Sequence, residues 1–133
     1  MSISPIAYLN YNLKVIEEVI RKVGVAYKQD IELYLDLGCG SCTLTEFVAN
    51  IIRPRQVICV DIDLHAVETA KKRGYTAYRL DLNEELIPLA DNSVDFCTAF
   101  EIIEHLWNKD HFLEEVYRVL KHQGFFIIST PNM

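Results

Sequence analysis

One stretch constrains this chain more than any other: Tyr34-Leu35-Asp36-Leu37-Gly38-Cys39-Gly40-Ser41-Cys42. A short apolar run enters a glycine turn, and a helical pattern from Thr43 to Ile52 follows at once. Strand, tight turn and helix N-terminus together make a cradle for a polar ligand. Glycines let the ligand approach the backbone, and the first-turn N–H groups are free to donate. Asp36 is the odd residue in the apolar strand. A buried carboxylate costs several kcal/mol unless it is paired or hydrogen-bonded. Two roles are open to it: tying down the turn's own N–H groups, or holding a cationic group of a ligand.

The surrounding pattern alternates. Ser4-Pro5 is a helix-start signal, and Leu9, Leu13, Ile16, Ile20 and Val23 recur at helical spacing up to Gly24. A linker through Lys28-Gln29-Asp30 leads to a first strand over Glu32–Leu37. Further strands are expected at Gln56–Val60, Thr76–Leu80, Val94–Ala99 and Phe125–Ser129. Helices are expected at Thr43–Ile52, at Leu64–Arg73, and from near Asp110 to Leu120, where Lys121-His122-Gln123-Gly124 reads as a helix stop. Asn83–Asn92, with Pro88, reads as loop with room for one helical turn. Continuous apolar strands between amphipathic helices predict a parallel sheet covered on both faces. Right-handed crossovers make it a doubly wound α/β fold whose ligand crevice lies at the strand C-terminal ends.

Half of the 133 residues are hydrophobic, enough for one domain with a buried core. Residues 1–30 would supply an N-terminal helix and linker, and 31–133 the ligand-binding core. The formal net charge is -6 with no basic run, which disfavours a nucleic-acid partner. No apolar run approaches the roughly 20 residues of a membrane span, and no signal peptide is evident. The four cysteines, Cys39, Cys42, Cys59 and Cys97, suit reduced, buried thiols in a cytoplasmic protein. Cys39-x-x-Cys42 has redox or metal spacing, but no second cysteine pair or histidine cluster accompanies it in sequence. The reading is therefore small residues packed in a turn, with no metal.

Each of the first four strands ends on or passes an acidic residue: Asp36, Asp61, Asp81 and Glu101. One such residue is ordinarily a cap or turn residue. Four in register at strand ends ring one crevice and repel one another without a cation or donors to hold. Asp63 is expected to cap the third helix. His65, His111 and His122 read as helix-surface residues.

A dinucleotide turn needs Gly-x-Gly-x-x-Gly, and Thr43 stands where its third glycine would be, against an NAD-dependent oxidoreductase. The stretch instead resembles motif I of class I S-adenosylmethionine (SAM) dependent methyltransferases, with Cys42 where their last glycine usually stands. Leu86-Ile87-Pro88-Leu89-Ala90-Asp91-Asn92-Ser93-Val94-Asp95 is similar to their approach to the fourth strand. Glu101-Ile102-Ile103-Glu104-His105-Leu106, Phe112-Leu113-x-Glu115, Arg118-Val119-Leu120-Lys121 and Ile128-Ser129-Thr130-Pro131-Asn132 resemble the ubiquinone-biosynthesis-type and related small-molecule enzymes. The resemblance covers about Leu33 to Asn132.

The resemblance implies a Rossmann-like sheet of order 3-2-1-4-5, without the family's usual strands 6 and 7. Phe125–Ile128 would then be an edge, either because the chain is shortened or because a second copy covers it as a homodimer. It implies that Asp36, Gly38, Cys39 and Gly40 face the aminocarboxypropyl end of SAM, with Phe100 against its methionine part. Asp61 and Ile62 would serve the ribose, and Asp81 and Leu82 the adenine. Glu101 and His105 would lie near the departing methyl. There His105 would be either a general base or a residue packed behind the fourth strand. Tyr8 and Tyr11 would join a lid. The activity implied is methyl transfer to a small molecule, leaving S-adenosylhomocysteine. The competing reading is a catalytically silent SAM-binding module or methyltransferase fragment.

Overall fold

A computed structural model describes residues 13–22 and 30–129. The expectations for Tyr8, Tyr11, the Ser4-Pro5 start, Gly24 and Thr130-Pro131-Asn132 lie outside those residues. Helix α1 covers residues 13–22. Then follow β1 (Leu33–Leu37), α2 (Thr43–Ile52), β2 (Gln56–Asp61), α3 (Leu64–Lys72), β3 (Thr76–Arg79), β4 (Val94–Phe100), a 3-10 turn (Ile103–His105), α4 (Lys109–Val119) and β5 (Leu120–Ser129). The five strands are parallel, in the order β3-β2-β1-β4-β5. The expected topology is the one that forms.

Strand alternation divides the core between the two faces. Leu35, Leu37, Ile58, Val60, Cys97 and Ala99 pack with Phe112, Val116 and Val119 of α4 on one face. Tyr34, Phe96 and Phe100 pack with Ile16 and Ile20 of α1 and Val48 of α2 on the other. The winding reverses between β1 and β4, so the loops after these two strands open a crevice at their C-terminal ends.

Two features hold the fourth-strand side in place. The first is an ion-pair cluster under the 86–93 loop. Glu115, 5% exposed, accepts from the Ile87 N–H (2.7 Å) and from Arg118 Nε (2.7 Å). Arg118 also donates to the Leu89 and Ile87 carbonyls (2.9 and 2.8 Å) and to Asp91 (2.7 Å). The Arg118 hydrogen bond is the main reason the Glu115 carboxyl is held below its ordinary range. The second is Asp95, whose Oδ2 accepts from the Glu32 and Leu33 N–H groups (3.1 and 2.9 Å), while Oδ1 accepts from Lys121 (2.9 Å). The motif's acidic residues 91 and 95 are thus fastenings of strand and loop.

The expected helix stop at Lys121–Gly124 is not a free turn. α4 ends at Val119 and β5 begins at Leu120. Val94 pairs with Leu120 but Phe96 with Phe125, so the extra residues of β5 swell out as a bulge. A Cβ on Gly124 would lie 3.0 Å from the Val94 carbonyl and 2.8 Å from Leu120 Cδ1, which explains a glycine there. His122 therefore sits on this strand, not on a helix surface. His111 is also tied down, with Nε2 2.9 Å from the Glu85 carbonyl. His65 is exposed on α3, and Asp63 caps that helix by accepting from the His65 N–H (3.0 Å) as expected.

Candidate cofactor site

The crevice holds two cavities that share Gly38 and Phe100 as a common wall. One, of 330 Å³, is lined by Asp61, Ile62, Asp81, Leu82, Glu101 and His105 among others. The other, of 290 Å³, is lined by Asp36, Cys39, Gly40, Ser41, Thr43 and Leu44 together with Leu13 of α1. Among the described residues, each one that the sequence nominates for the cofactor or the departing methyl lines one of the two. Sequence reasoning did not nominate other lining residues, among them Leu13, Ser41, Thr43, Leu80, Asn83 and Ile102, which carry no charge to single them out.

Asp36 is 2% exposed at the floor of the smaller cavity. Thr98 donates to its Oδ1 (2.9 Å), and Thr45 donates to its Oδ2. Because Thr98 spends its own hydroxyl hydrogen on Asp36, the Tyr34 hydroxyl, 2.6 Å away, donates to Thr98 Oγ1. Burial pushes the Asp36 carboxyl up to about 6, the two hydroxyls pull it down less, and Asp61 adds a small upward push. Asp36 does not tie down the glycine turn by these bonds.

That job falls to Asp61. Its Oδ2 accepts from the Gly40 N–H and its Oδ1 from the Asp63 N–H, both at 2.9 Å. The Gly38 and Cys39 N–H groups donate to the Val60 carbonyl (2.7 and 3.2 Å). The turn is thereby locked to the end of β2, with Gly38 and Gly40 at positive φ. Asp81 Oδ1 accepts from the Asn83 N–H (2.9 Å) and so shapes the adjacent loop. Gly38 has φ +80°, and a Cβ there would meet Ile102 Cδ1 at 2.7 Å. Gly38→Ala is expected to lower stability by about 1–2 kcal/mol from the left-handed backbone alone. A denaturant midpoint equal to the parent's would refute this.

His105 stands on the 3-10 turn with its side chain exposed, Nε2 3.5 Å from Glu104 Oε1. It does not pack behind β4. Glu101, at the mouth of β4, has a left-handed backbone (φ 54°), and its N–H donates to the Ser129 carbonyl at 2.9 Å. A strained non-glycine residue beside a ligand crevice is a recurrent mark of a functional loop.

The thiols form a group that sequence spacing hid. The Sγ atoms of Cys39, Cys42 and Cys59 lie within 4.8 Å of one another, and all three residues are buried. Cys59 comes from β2, seventeen residues beyond the turn. Hydrogen bonding to Cys59 lowers the Cys39 pKa and raises that of Cys59, while burial pushes Cys42 up to about 11.

Fold and crevice define a class first: a doubly wound α/β domain with a ligand crevice at the strand C-terminal ends. The donor set narrows the choice. A crevice ringed by carboxylates, with a glycine turn at one end, fits a cofactor carrying ribose hydroxyls, an amino group and positive charge. Comparison with known proteins then gives the family. Residues 35–128 match the family described as "Methyltransferase domain", and the chain belongs to it. A "Probable S-adenosylmethionine-dependent methyltransferase" of Mycobacterium tuberculosis is 39% identical over 98 residues, 74% of this chain and 35% of the relative. A "Ubiquinone biosynthesis O-methyltransferase" of Xanthomonas oryzae is 30% identical over 103 residues, 74% of this chain and 42% of the relative. The crystal structure of a SAM-dependent methyltransferase from Aquifex aeolicus superposes with a TM-score of 0.64 at 26% identity. That match covers 84% of this chain and 61% of the other. The cofactor of this family is SAM. The chain spans less than half the length of the curated relatives it matches here. Among the described residues, no helix is long and apolar enough to cross a membrane.

Proposed function

We propose that the chain binds SAM across the two cavities and takes part in methyl transfer to a small-molecule acceptor. The observation that carries this is the gathering of Asp36, Asp61 and Asp81 on two adjoining cavities that meet at Gly38. When bound, SAM supplies a methyl group activated by a sulfonium. Asp61 would accept the ribose hydroxyls with its remaining lone pairs. Asp81 would accept from the adenine amino group, between Ile62 and Leu82. Asp36 would hold the ammonium, and Phe100 would pack on the methionine part. A small acceptor is supported by the acidic charge of -6 and by the O-methylating relative.

Methyl transfer by displacement needs chiefly alignment and exclusion of water. His105 lines the larger cavity and is exposed enough to take a proton from a hydroxyl acceptor; Glu104 stands beside it to steady the imidazolium. The catalytically silent reading differs in one outcome only: binding without turnover.

The test is thermal unfolding with excess SAM or S-adenosylhomocysteine. At about 100 times the dissociation constant, the gain is roughly 2.7 kcal/mol. Asp61→Ala and Asp81→Ala are each expected to lose most of that gain. Because Asp61 also holds the turn and Asp81 the Asn83 N–H, the ligand-free unfolding temperature of each variant is measured beside it, and only the ligand-induced shift is compared. A folded chain with no shift refutes the reading. With binding secured, S-adenosylhomocysteine release with phenolic and carboxylate acceptors, lost in His105→Ala, separates enzyme from silent module.

A further inference from the structure

We propose that Cys39, Cys42 and Cys59 form a three-thiolate site for one soft, thiophilic metal ion of the Cu(I), Zn(II) and Cd(II) class, built into the back of the cofactor turn. Cys42 and Cys59 have no part in the cofactor chemistry above, and Cys39 only lines its cavity. Three sulfur ligands from two elements already lie within 4.8 Å of one another. Zinc–thiolate bonds of about 2.3 Å place three sulfurs roughly 4.0 Å apart around a planar centre. The group therefore closes on an ion with sub-ångström movements, and less for larger ions. Thiolate ligands select soft ions over magnesium or calcium.

The surroundings suit a site as well as a packing cluster. Ala66, Val67 and Ala70 of α3 and Ala77 of β3 pack in one cluster with the trio as small apolar groups. Cys39 lines the 290 Å³ cavity, which gives an ion a way in from solvent. Cys42 adopts φ 67° without being glycine, a backbone cost that a side chain with a purpose would justify. An ion here would bolt the turn carrying Gly40 to the middle of β2. The entrance is the cavity assigned above to one end of SAM, so the titration is run without SAM.

The experiment titrates the fully reduced chain with Cd(II) under anaerobic conditions. It follows the ultraviolet thiolate-to-cadmium charge-transfer band in competition with a chelator of known affinity. The expected result is saturation at one ion per chain, with Cys97→Ala unchanged because Cys97 lies apart in β4. Cys59→Ala and Cys42→Gly should each weaken binding at least 100-fold. Cys42→Gly suits the left-handed backbone, which offsets part of the cost of removing a buried side chain; circular dichroism and unfolding temperature confirm the fold. Absence of a band overturns the proposal, as does a band that either variant leaves intact. So does a stoichiometry above one that persists in both.

Discussion

Arg118→Ala should lower the unfolding free energy by about 2 kcal/mol or more. Arg118 is half-buried, and removing a charged hydrogen-bond partner from a buried carboxylate costs about 1.5–3 kcal/mol. Glu115 is that carboxylate: 5% exposed, with Arg118 across from both of its oxygens. The loss does not stop there. The Ile87 and Leu89 carbonyls lose their donor, so the loop from Ile87 to Asp91 is released with the pair. The Asp91 arm is exposed and adds little. Glu115→Gln placed on Arg118→Ala should recover part of the stability, since a neutral amide is cheaper to bury and still accepts from the Ile87 N–H. Urea unfolding of the parent, both single variants and the double measures this. A single-variant loss under 1 kcal/mol, or no recovery in the double, would contradict the assignment.

The sheet was legible because its strands are apolar runs set between helical periods, and such runs have few other uses. Thr43–Ile52 was found to the residue because a glycine turn marks its start and Arg53-Pro54 its end. The start of β5 was not legible. Lys121-His122-Gln123-Gly124 carries every local sign of a helix stop, and only pairing across to Val94 turns it into a bulged strand. In the site, the acidic strand ends announced themselves, because carboxylates beside apolar runs are costly. Their division of labour did not. Asp36 and Asp61 look alike in sequence, yet the turn's Gly40 N–H goes to Asp61 while Asp36 takes two hydroxyls. The cysteine trio was hidden for a related reason. Cys59 joins Cys39 and Cys42 only through the β1–β2 register, which sets Cys59 beside Asp36. Pairing the two apolar runs residue by residue and following their alternation would have exposed it.

Asp36→Asn should stabilise the ligand-free chain above pH 6, and its advantage should disappear as the pH falls. The carboxyl is raised from 3.8 to about 6 in the folded state, chiefly by burial. At about 1.4 kcal/mol per unit, the folded state gives up roughly 3 kcal/mol once Asp36 is ionised. The sign follows from proton uptake. Between pH 4 and 6 the folded chain binds more protons than the unfolded one, so acidification stabilises it through this group. Above pH 6 the charge is present in both states and the full cost remains. Glu115 acts in the opposite direction: its carboxyl is lowered, so its contribution is lost on acidification. The difference between variant and parent cancels Glu115 and isolates Asp36. Asp61 and the thiols of Cys39, Cys42, Cys59 and Cys97 share its surroundings and are common to both proteins, with Cys42, Cys59 and Cys97 pushed up by burial and neighbouring groups. Chelated, reduced protein is the right sample. Asparagine can accept from one threonine and donate to the other, so the chain from Tyr34 through Thr98 survives. Unfolding free energies for both proteins from pH 4 to 8 should show an advantage for the variant of about 2–3 kcal/mol at pH 8, shrinking towards zero near pH 4. An advantage that stays flat across that range would mean that Asp36 is not the titrating group. Ligand binding should report the same charge from the other side. If Asp36 holds the ammonium of SAM, the parent's affinity should rise through pH 6, whereas the variant's should be weaker above pH 6 and lack that rise.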